Sequence, residues 1–140
     1  MIAELTDVDL YEIRAAEPYP HDYDATVARN LTEQQTDARP PIADPLPALD
    51  AYGTIVLASP VWNVRAPMIM RTFVESVDVT SHTVLPLVTH AVSAMGRVAE
   101  EYAQLLGGAK VGEGLAVQGE QVRAARPEVA AWLGRAGLRR

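Results

Sequence analysis

The tightest constraint on this chain lies between Thr54 and Ser76, TIVLASPVWNVRAPMIMRTFVES. Ile55 to Ser59 is a continuous run of apolar and small residues that ends at Pro60. A short run of this kind, bounded by turn residues, reads as a strand buried on both faces in a parallel sheet. The loop Val61-Trp62-Asn63-Val64-Arg65 follows, and Ala66-Pro67 opens a helix. Proline suits a first helical position because the N–H it lacks would have had no partner there. Beyond it, Ile69, Met70, Phe73, Val74 and Val77 share one helical face. Strand, loop and helix in this order place the loop at the strand's carboxyl end, where open α/β sheets bind ligands.

The rest of the chain repeats that alternation. Met1 to Leu5 makes about one helical turn, too short to persist unless packed. Asp9 to Ala15 alternates Leu10, Glu12 and Arg14 against Tyr11, Ile13 and Ala15, the pattern of a half-exposed edge strand. Asp22 or Asp24 caps a surface helix from about Ala25 to Thr36. Asp37 to Asp50 holds four prolines in fourteen residues, which forbids regular structure. Ile42, Leu46 and Leu49 are spaced to anchor it against the domain. Thr83 to Thr89 is a second buried strand, in which Pro86 demands a bulge or an unpaired amide. Val98, Ala99, Tyr102, Leu105 and Leu106 give a helical face that stops at Gly107-Gly108. Lys110 to Val117 is the last strand, weakened by Gly112 and Gly114. Pro127 opens a final helix with Val129, Leu133 and Ala136 on one face and Gly137 as its end signal. The order β-α-β-α-β-α-β-α predicts an α/β fold, a parallel sheet wrapped by helices, as one domain over residues 1–140.

Composition narrows the function. The formal net charge of −6 argues against non-specific binding to nucleic acid or anionic membranes, and Arg139-Arg140 is only a small basic tail. No stretch of eighteen apolar residues could span a membrane. The start lacks the basic and apolar segments of a signal peptide, so a cytoplasmic protein is expected. Without cysteine there is no disulfide, thiol chemistry or Cys-based metal site. Glu100-Glu101 and Glu113 define no metal site by their spacing and read as solvated surface, so no metal is expected.

The run SPVWNVRAPMIMRTFVES, followed by TVLPLVTHAVSAMGR, resembles the flavodoxin-like family, and the likeness continues through VGEGLAVQG and back to LYEIRAAEPYP. The resemblance implies a three-layer flavodoxin-like parallel sheet with four strands and flanking helices. It implies FMN as cofactor, with electron transfer or FMN-dependent oxidoreductase chemistry on a small molecule, and a redox partner or small-molecule substrate. In that family a Pro-x-Trp loop and a Thr-His-x-x-Ser loop flank the isoalloxazine ring. Carried over, the flavin contacts are Ser59, Pro60, Val61, Trp62, Asn63, Arg65, Ala66, Thr89, His90, Ser93 and Gly96. Two departures stand out. Ala91, Val92 and Ala94 occupy places that are glycine in the family. The family's opening strand and phosphate-cradling loop have no counterpart, and Met1 to Leu5 resembles the tail of the helix that follows them.

Read without the family, each candidate has a second role. Trp62 stacks on a flat ring or packs against the Pro-rich segment. Asn63 reaches a flavin edge or, the favoured reading, caps the helix. Arg65 at a helix N-terminus needs an anion, and a carboxylate ranks ahead of a phosphate. His90 is the one histidine placed like an active-site group; His21 and His82 are expected to be solvated. Ser93 has no partners that would make it a nucleophile, and no catalytic residue is named.

Without an opening strand, either Asp9–Ala15 slides across and pairs with Thr54–Ser59 or a second chain fills the gap; a third reading is that the natural protein starts before Met1. A bare gap would leave buried amides and carbonyls unpaired at about 1–3 kcal/mol each. The expected assembly is a symmetric homodimer that buries this side. A second functional class follows from the same departures: a cofactor-free small-molecule-binding or interaction protein on a shortened flavodoxin-like scaffold.

Overall fold

The computed structural model describes residues 1–107 and 109–138. Its elements are α1 (Ile2–Leu5), α2 (Tyr23–Gln35), β1 (Thr54–Pro60), α3 (Ile69–Ser76), β2 (Thr83–His90), α4 (Val98–Leu105), β3 (Lys110–Val111), β4 (Leu115–Gln118), a 3-10 turn (Gly119–Ala124) and α5 (Arg126–Arg135). All strand pairs are parallel. β2 is central, with β1 on one side and β3 then β4 on the other. One face packs Leu57, Val84 and Val88 against Phe73, Val74, Val98 and Tyr102. The other packs Leu85, Leu115 and Val117 against Val129, Trp132 and Leu133. Helices on both faces of a parallel sheet give the expected three-layer α/β architecture.

The two strand prolines are tolerated for one geometric reason. In a parallel strand, successive residues point their N–H and C=O to opposite edges. Val61 N–H donates to Thr89 C=O at 2.9 Å, and Thr83 N–H to Gly53 C=O at 3.0 Å. Odd-numbered residues of β1 therefore bond to β2, and Pro60 faces the outer edge, where its missing N–H breaks no ladder bond. On β2, Gly112 N–H donates to Val84 C=O at 2.9 Å, so even-numbered residues face β3 and β4. Pro86 has no N–H to offer there, and the partner strand breaks opposite it. Val84 pairs with Val111 but Leu87 pairs with Leu115, so Leu85 and Pro86 face three residues, Gly112 to Gly114. That is the expected bulge. A Cβ on Gly114 would come 3.1 Å from the Pro86 carbonyl oxygen.

Several helix ends follow their signals. The Asp22 carboxylate accepts the Ala25 N–H at 2.8 Å. Gly137 takes φ +73°, and Leu138 N–H reaches back to Leu133 C=O at 2.9 Å. Pro67 does not open α3 directly; it and Met68 form a preceding turn, with Met70 N–H on Pro67 C=O. The expected Gly107-Gly108 stop falls partly on Gly108, which lies outside the described residues, as do Arg139 and Arg140.

Three expectations are corrected. Asp9–Ala15 is not a strand of the sheet and has not moved beside β1; Ala15 alone makes an isolated antiparallel bridge, to Ile42. That bridge ties the start of the chain to the Pro-rich segment through Ala16 N–H on Pro41 C=O and Ala43 N–H on Arg14 C=O, both 2.8 Å. Ile42 and Leu49 pack on the core as expected, but Leu46 is exposed. His82 is buried, not solvated: its Nε2 lies 2.9 Å from Leu49 C=O, a contact that holds the end of the Pro-rich segment. In α5 the residue that sequence periodicity passed over is the largest fully buried one, Trp132, whose indole N–H donates to Glu113 C=O at 2.8 Å.

Candidate functional site

β1 and β2 end side by side, with Pro60 in register with Thr89. Their two following loops are therefore brought together at the carboxyl edge. The first loop is a tight reversal. Trp62 N–H donates to Arg65 C=O at 2.7 Å, and Arg65 N–H returns to Trp62 C=O at 3.2 Å. Its two central residues, Asn63 and Val64, both have positive φ, at 50° and 60°, the mirror-image turn that Asn favours. Val64 is a β-branched residue in the left-handed region, a strained placement. It is held from the second loop: Arg97 N–H donates to Val64 C=O at 2.7 Å. Gly96, at φ +56°, permits that approach, since a Cβ there would stand 2.4 Å from the same oxygen.

The second loop is closed on itself and on β4. Ala94 N–H donates to His90 Nδ1 at 3.1 Å, with Ala94 at φ +52°. Gln118 Nε2 donates to Ala91 C=O at 3.0 Å. The Ser93 hydroxyl makes a long contact to Ala94 C=O at 3.4 Å, and Thr89 is exposed. Among the described residues no carboxylate hydrogen-bonds His90 to orient it as an acid or base; its ring is held by the Ala94 N–H alone.

Trp62 is half-buried, with its ring edge-on to Tyr19 at 5.3 Å between centroids. Tyr19 is fixed in turn. Its hydroxyl donates to Glu33, and the Arg29 guanidinium sits 3.8 Å over its ring. Burial and the Glu33 carboxylate push the Tyr19 phenol above its ordinary range. The first loop is also pinned to α2. Gln34 Nε2 donates to Trp62 C=O at 3.0 Å, and Asn63 Nδ2 donates to Gln34 Oε1 at 2.8 Å. Asn63 thus bonds α2 and does not cap α3, which has no side-chain cap. Trp62 packs against the Tyr19 segment and not against the later Pro-rich stretch.

Arg65 has the carboxylate partner that its position demanded. Its Nε donates to Glu101 at 2.9 Å, and Arg71 binds the same carboxylate. Glu101 is buried, which corrects its assignment to solvated surface. Burial pushes its carboxyl up, but the hydrogen bonds from Arg71 and Arg65 outweigh that and hold it below the ordinary range. Glu113 is exposed and paired with Arg135 at 2.7 Å.

Beside β1 runs a groove of about 690 Å³. Its floor is the whole of β1; one wall carries Tyr11, Ile13, Met70 and Phe73, and the other Ile2, Leu133 and Leu138. Ser59, Pro60 and Trp62 close one end. Of the proposed flavin contacts, these three line the groove. Val61, Asn63, Arg65, Ala66, Thr89, His90, Ser93 and Gly96 lie in the adjoining loops without lining it. Asp9–Ala15 borders the groove without pairing with β1. Tyr19, Gln34 and Gln118, which fix the two loops, carried no signal in sequence beyond their residue type.

Among the described residues no three His, Cys, Asp or Glu side chains come together to hold a metal. No helix is long and apolar enough to cross a membrane.

The profile of the flavodoxin family matches residues 1–136. A candidate flavoprotein from Bacteroides uniformis is similar in structure at a TM-score of 0.83 and 31% identity, over 95% of this chain and 85% of that one. Another from Bacteroides eggerthii gives 0.75 and 25%, over 94% and 82%. A flavoprotein solved in complex with FMN, from Lactobacillus acidophilus, gives 0.69 and 20%, over 87% and 83%, and shows the shared fold. No protein of curated function matches the chain. With a parallel α/β sheet, paired loops at its carboxyl edge and a family match over residues 1–136, the chain belongs to the flavodoxin family.

Proposed function

We propose that this chain binds FMN by its isoalloxazine end and serves redox chemistry, as an electron carrier or an FMN-dependent oxidoreductase acting on a small molecule. The observation that carries the reading is that Trp62, on a loop held to the second loop through Val64 and Arg97, closes one end of an apolar groove. A planar ring system needs an aromatic or apolar wall and a few fixed polar groups. Trp62 supplies the wall, and its position is over-determined by Tyr19, Gln34 and the turn itself. Ser59 lines the groove beside Trp62, and the adjoining 89–96 loop, which carries Thr89 and Ser93, is joined to the Trp62 loop through Val64 and Arg97. When bound, the flavin supplies the hydride or electron transfer, and these residues orient it and limit water. A protein of the same fold holds FMN, which supports the choice of ligand.

The two ends of FMN fare differently. The ring end fits the residues present. The phosphate end does not: among the described residues no Lys or Arg lines the groove, and Arg65 is already engaged by Glu101. Affinity therefore rests on the ring. Titrating the purified chain with FMN should quench flavin fluorescence with a dissociation constant in the micromolar range. Trp62→Ala should weaken it about tenfold or more, since stacking and burial of the indole together exceed about 1.4 kcal/mol. Absence of quenching at tens of micromolar protein would overturn the proposal.

The neutralised Arg65 and the side chains at Ala91, Val92 and Ala94 favour a second reading, a cofactor-free protein that binds another small molecule or a partner. Clear FMN density between the two loops in a soaked crystal would reject it.

A further inference from the structure

We infer that Trp62, Tyr19 and Glu33 form a one-electron relay, in which Tyr19 refills an oxidised Trp62 and hands its phenolic proton to Glu33. In a chain without cysteine, indole and phenol are the side chains that most readily give up a single electron. The two rings stand edge to face with centroids 5.3 Å apart, so an electron passes between groups in contact. The Tyr19 hydroxyl donates to the Glu33 carboxylate. A phenol that loses an electron becomes a strong acid, and its proton here moves along a hydrogen bond that already exists. The Arg29 guanidinium lies 3.8 Å over the same ring and opposes positive charge on it, so the electron leaves together with the proton. Before oxidation, burial and the Glu33 carboxylate keep the phenol protonated. Arg29 keeps partners once Glu33 is neutral, since it also donates to Pro18 C=O at 2.9 Å and Glu17 C=O at 2.8 Å.

The step balances within the chain. The Trp62 radical cation gains one electron and becomes a neutral indole. Tyr19 loses that electron and one proton and becomes a neutral phenoxyl radical, and Glu33 becomes a carboxylic acid. A small one-electron reductant of the ascorbate class resets the trio: its electron enters Tyr19, and the proton returns from Glu33. Tyr19 is open to such a molecule because it also lines a hollow with Ala15, Pro18 and Ala43. Trp132 has no such arrangement; it is fully buried and, among the described residues, no aromatic ring stands against it. The relay keeps Trp62 intact beside a one-electron oxidant, and a light-excited flavin is one member of that class.

The experiment uses the flavin-free chain, so its outcome is separate from flavin binding. A laser flash on tris(bipyridine)ruthenium(II) with persulfate yields the ruthenium(III) oxidant, and transient absorption follows the tryptophan radical. Tyr23 and Tyr52 are exposed and are oxidised directly, so the lifetime of the tryptophan radical is the quantity read. Trp62→Phe should remove that signal, because Trp132 is buried out of the oxidant's reach. Tyr19→Phe keeps the ring without a phenolic proton and should lengthen the lifetime about tenfold or more. Glu33→Gln keeps an acceptor oxygen without a base and should lengthen it about tenfold or more, the low side of what a positioned base contributes. Heavy water should slow the decay in the parent more than in Tyr19→Phe. If Glu33→Gln does not fold, that isotope effect on the unaltered chain reads the same proton. Equal lifetimes in the parent and Tyr19→Phe would overturn the inference, as would a decay that neither heavy water nor Glu33→Gln alters. A tryptophan signal that survives Trp62→Phe undiminished, or one absent from parent and Tyr19→Phe alike, would overturn it too.

Discussion

Replacing Gly96 by alanine tests whether the two loops are a single fitted unit. Gly96 sits at φ +56°, where an L side chain costs about 1–2 kcal/mol. The new Cβ would stand 2.4 Å from the Val64 carbonyl oxygen, a backbone atom that cannot swing aside. Relief requires the loops to part, which breaks or stretches the Arg97 N–H to Val64 C=O bond, worth about 0.5–1.5 kcal/mol. The two contributions together predict a loss of about 1.5–3.5 kcal/mol in urea unfolding at unchanged m-value. Gly137→Ala is the control, because it shares the positive φ, +73°, but has nothing within 4 Å of its added Cβ. The difference between the variants isolates the loop–loop contact. Equal losses, or a smaller one for Gly96→Ala, would refute the claim that the loops are held against each other.

Val64→Gly should stabilise the protein by about 0.5–1 kcal/mol, because relief of the left-handed strain exceeds the extra freedom of an unfolded glycine; urea midpoints check it, and a destabilised variant would remove the strain argument. Glu101→Ala should cost about 2–3 kcal/mol, below the usual range for breaking a buried pair because both arginines remain about one-fifth exposed. The same pair sets a pH dependence. A carboxyl whose folded pKa is depressed stabilises the fold fully above its unfolded value and loses that contribution as pH falls through the folded value. Stability should therefore drop below about pH 4.5, less steeply in Glu101→Gln than in the parent, as followed by thermal melts across pH 3–6. Tyr19→Phe should leave the fold intact but loosen Trp62, visible as a shift and broadening of tryptophan emission, since the hydroxyl bond to Glu33 is what fixes the ring.

The parts of the fold that could be read in sequence are those set by local chemistry. The apolar runs at 55–59 and 83–89, the cap at Asp22, the bulge forced by Pro86 and the stop at Gly137 each follow from residues within a few positions. Asp9–Ala15 misled because alternation reports a half-buried extended segment and says nothing of whether a neighbouring strand is there to bond it. Its Tyr11 stacks on Phe73 at 5.9 Å and Ile13 packs on the core, so the alternating pattern has a cause without a ladder. Glu101 and His82 misled for a similar reason. Their burial depends on Arg65, Arg71 and Leu49, which lie 30 to 36 residues away for both arginines and 33 for Leu49. At the site, Trp62 and the carboxyl-edge loops were legible from strand order and the family pattern. What holds them, Gln34, Tyr19 and Gln118, is tertiary.

The proposal put to the test is that the chain binds the ring end of FMN and that, among the described residues, no Lys or Arg lining the groove anchors the phosphate. The most direct measurement compares dissociation constants for FMN and riboflavin by isothermal titration at one ionic strength. The two ligands differ in the phosphate alone, so affinities within about threefold, a difference under about 0.7 kcal/mol, are predicted. FMN binding tighter than riboflavin by a hundredfold or more would reveal a phosphate site that the groove and Arg65 do not supply. Failure of both to bind would contradict the ring site itself.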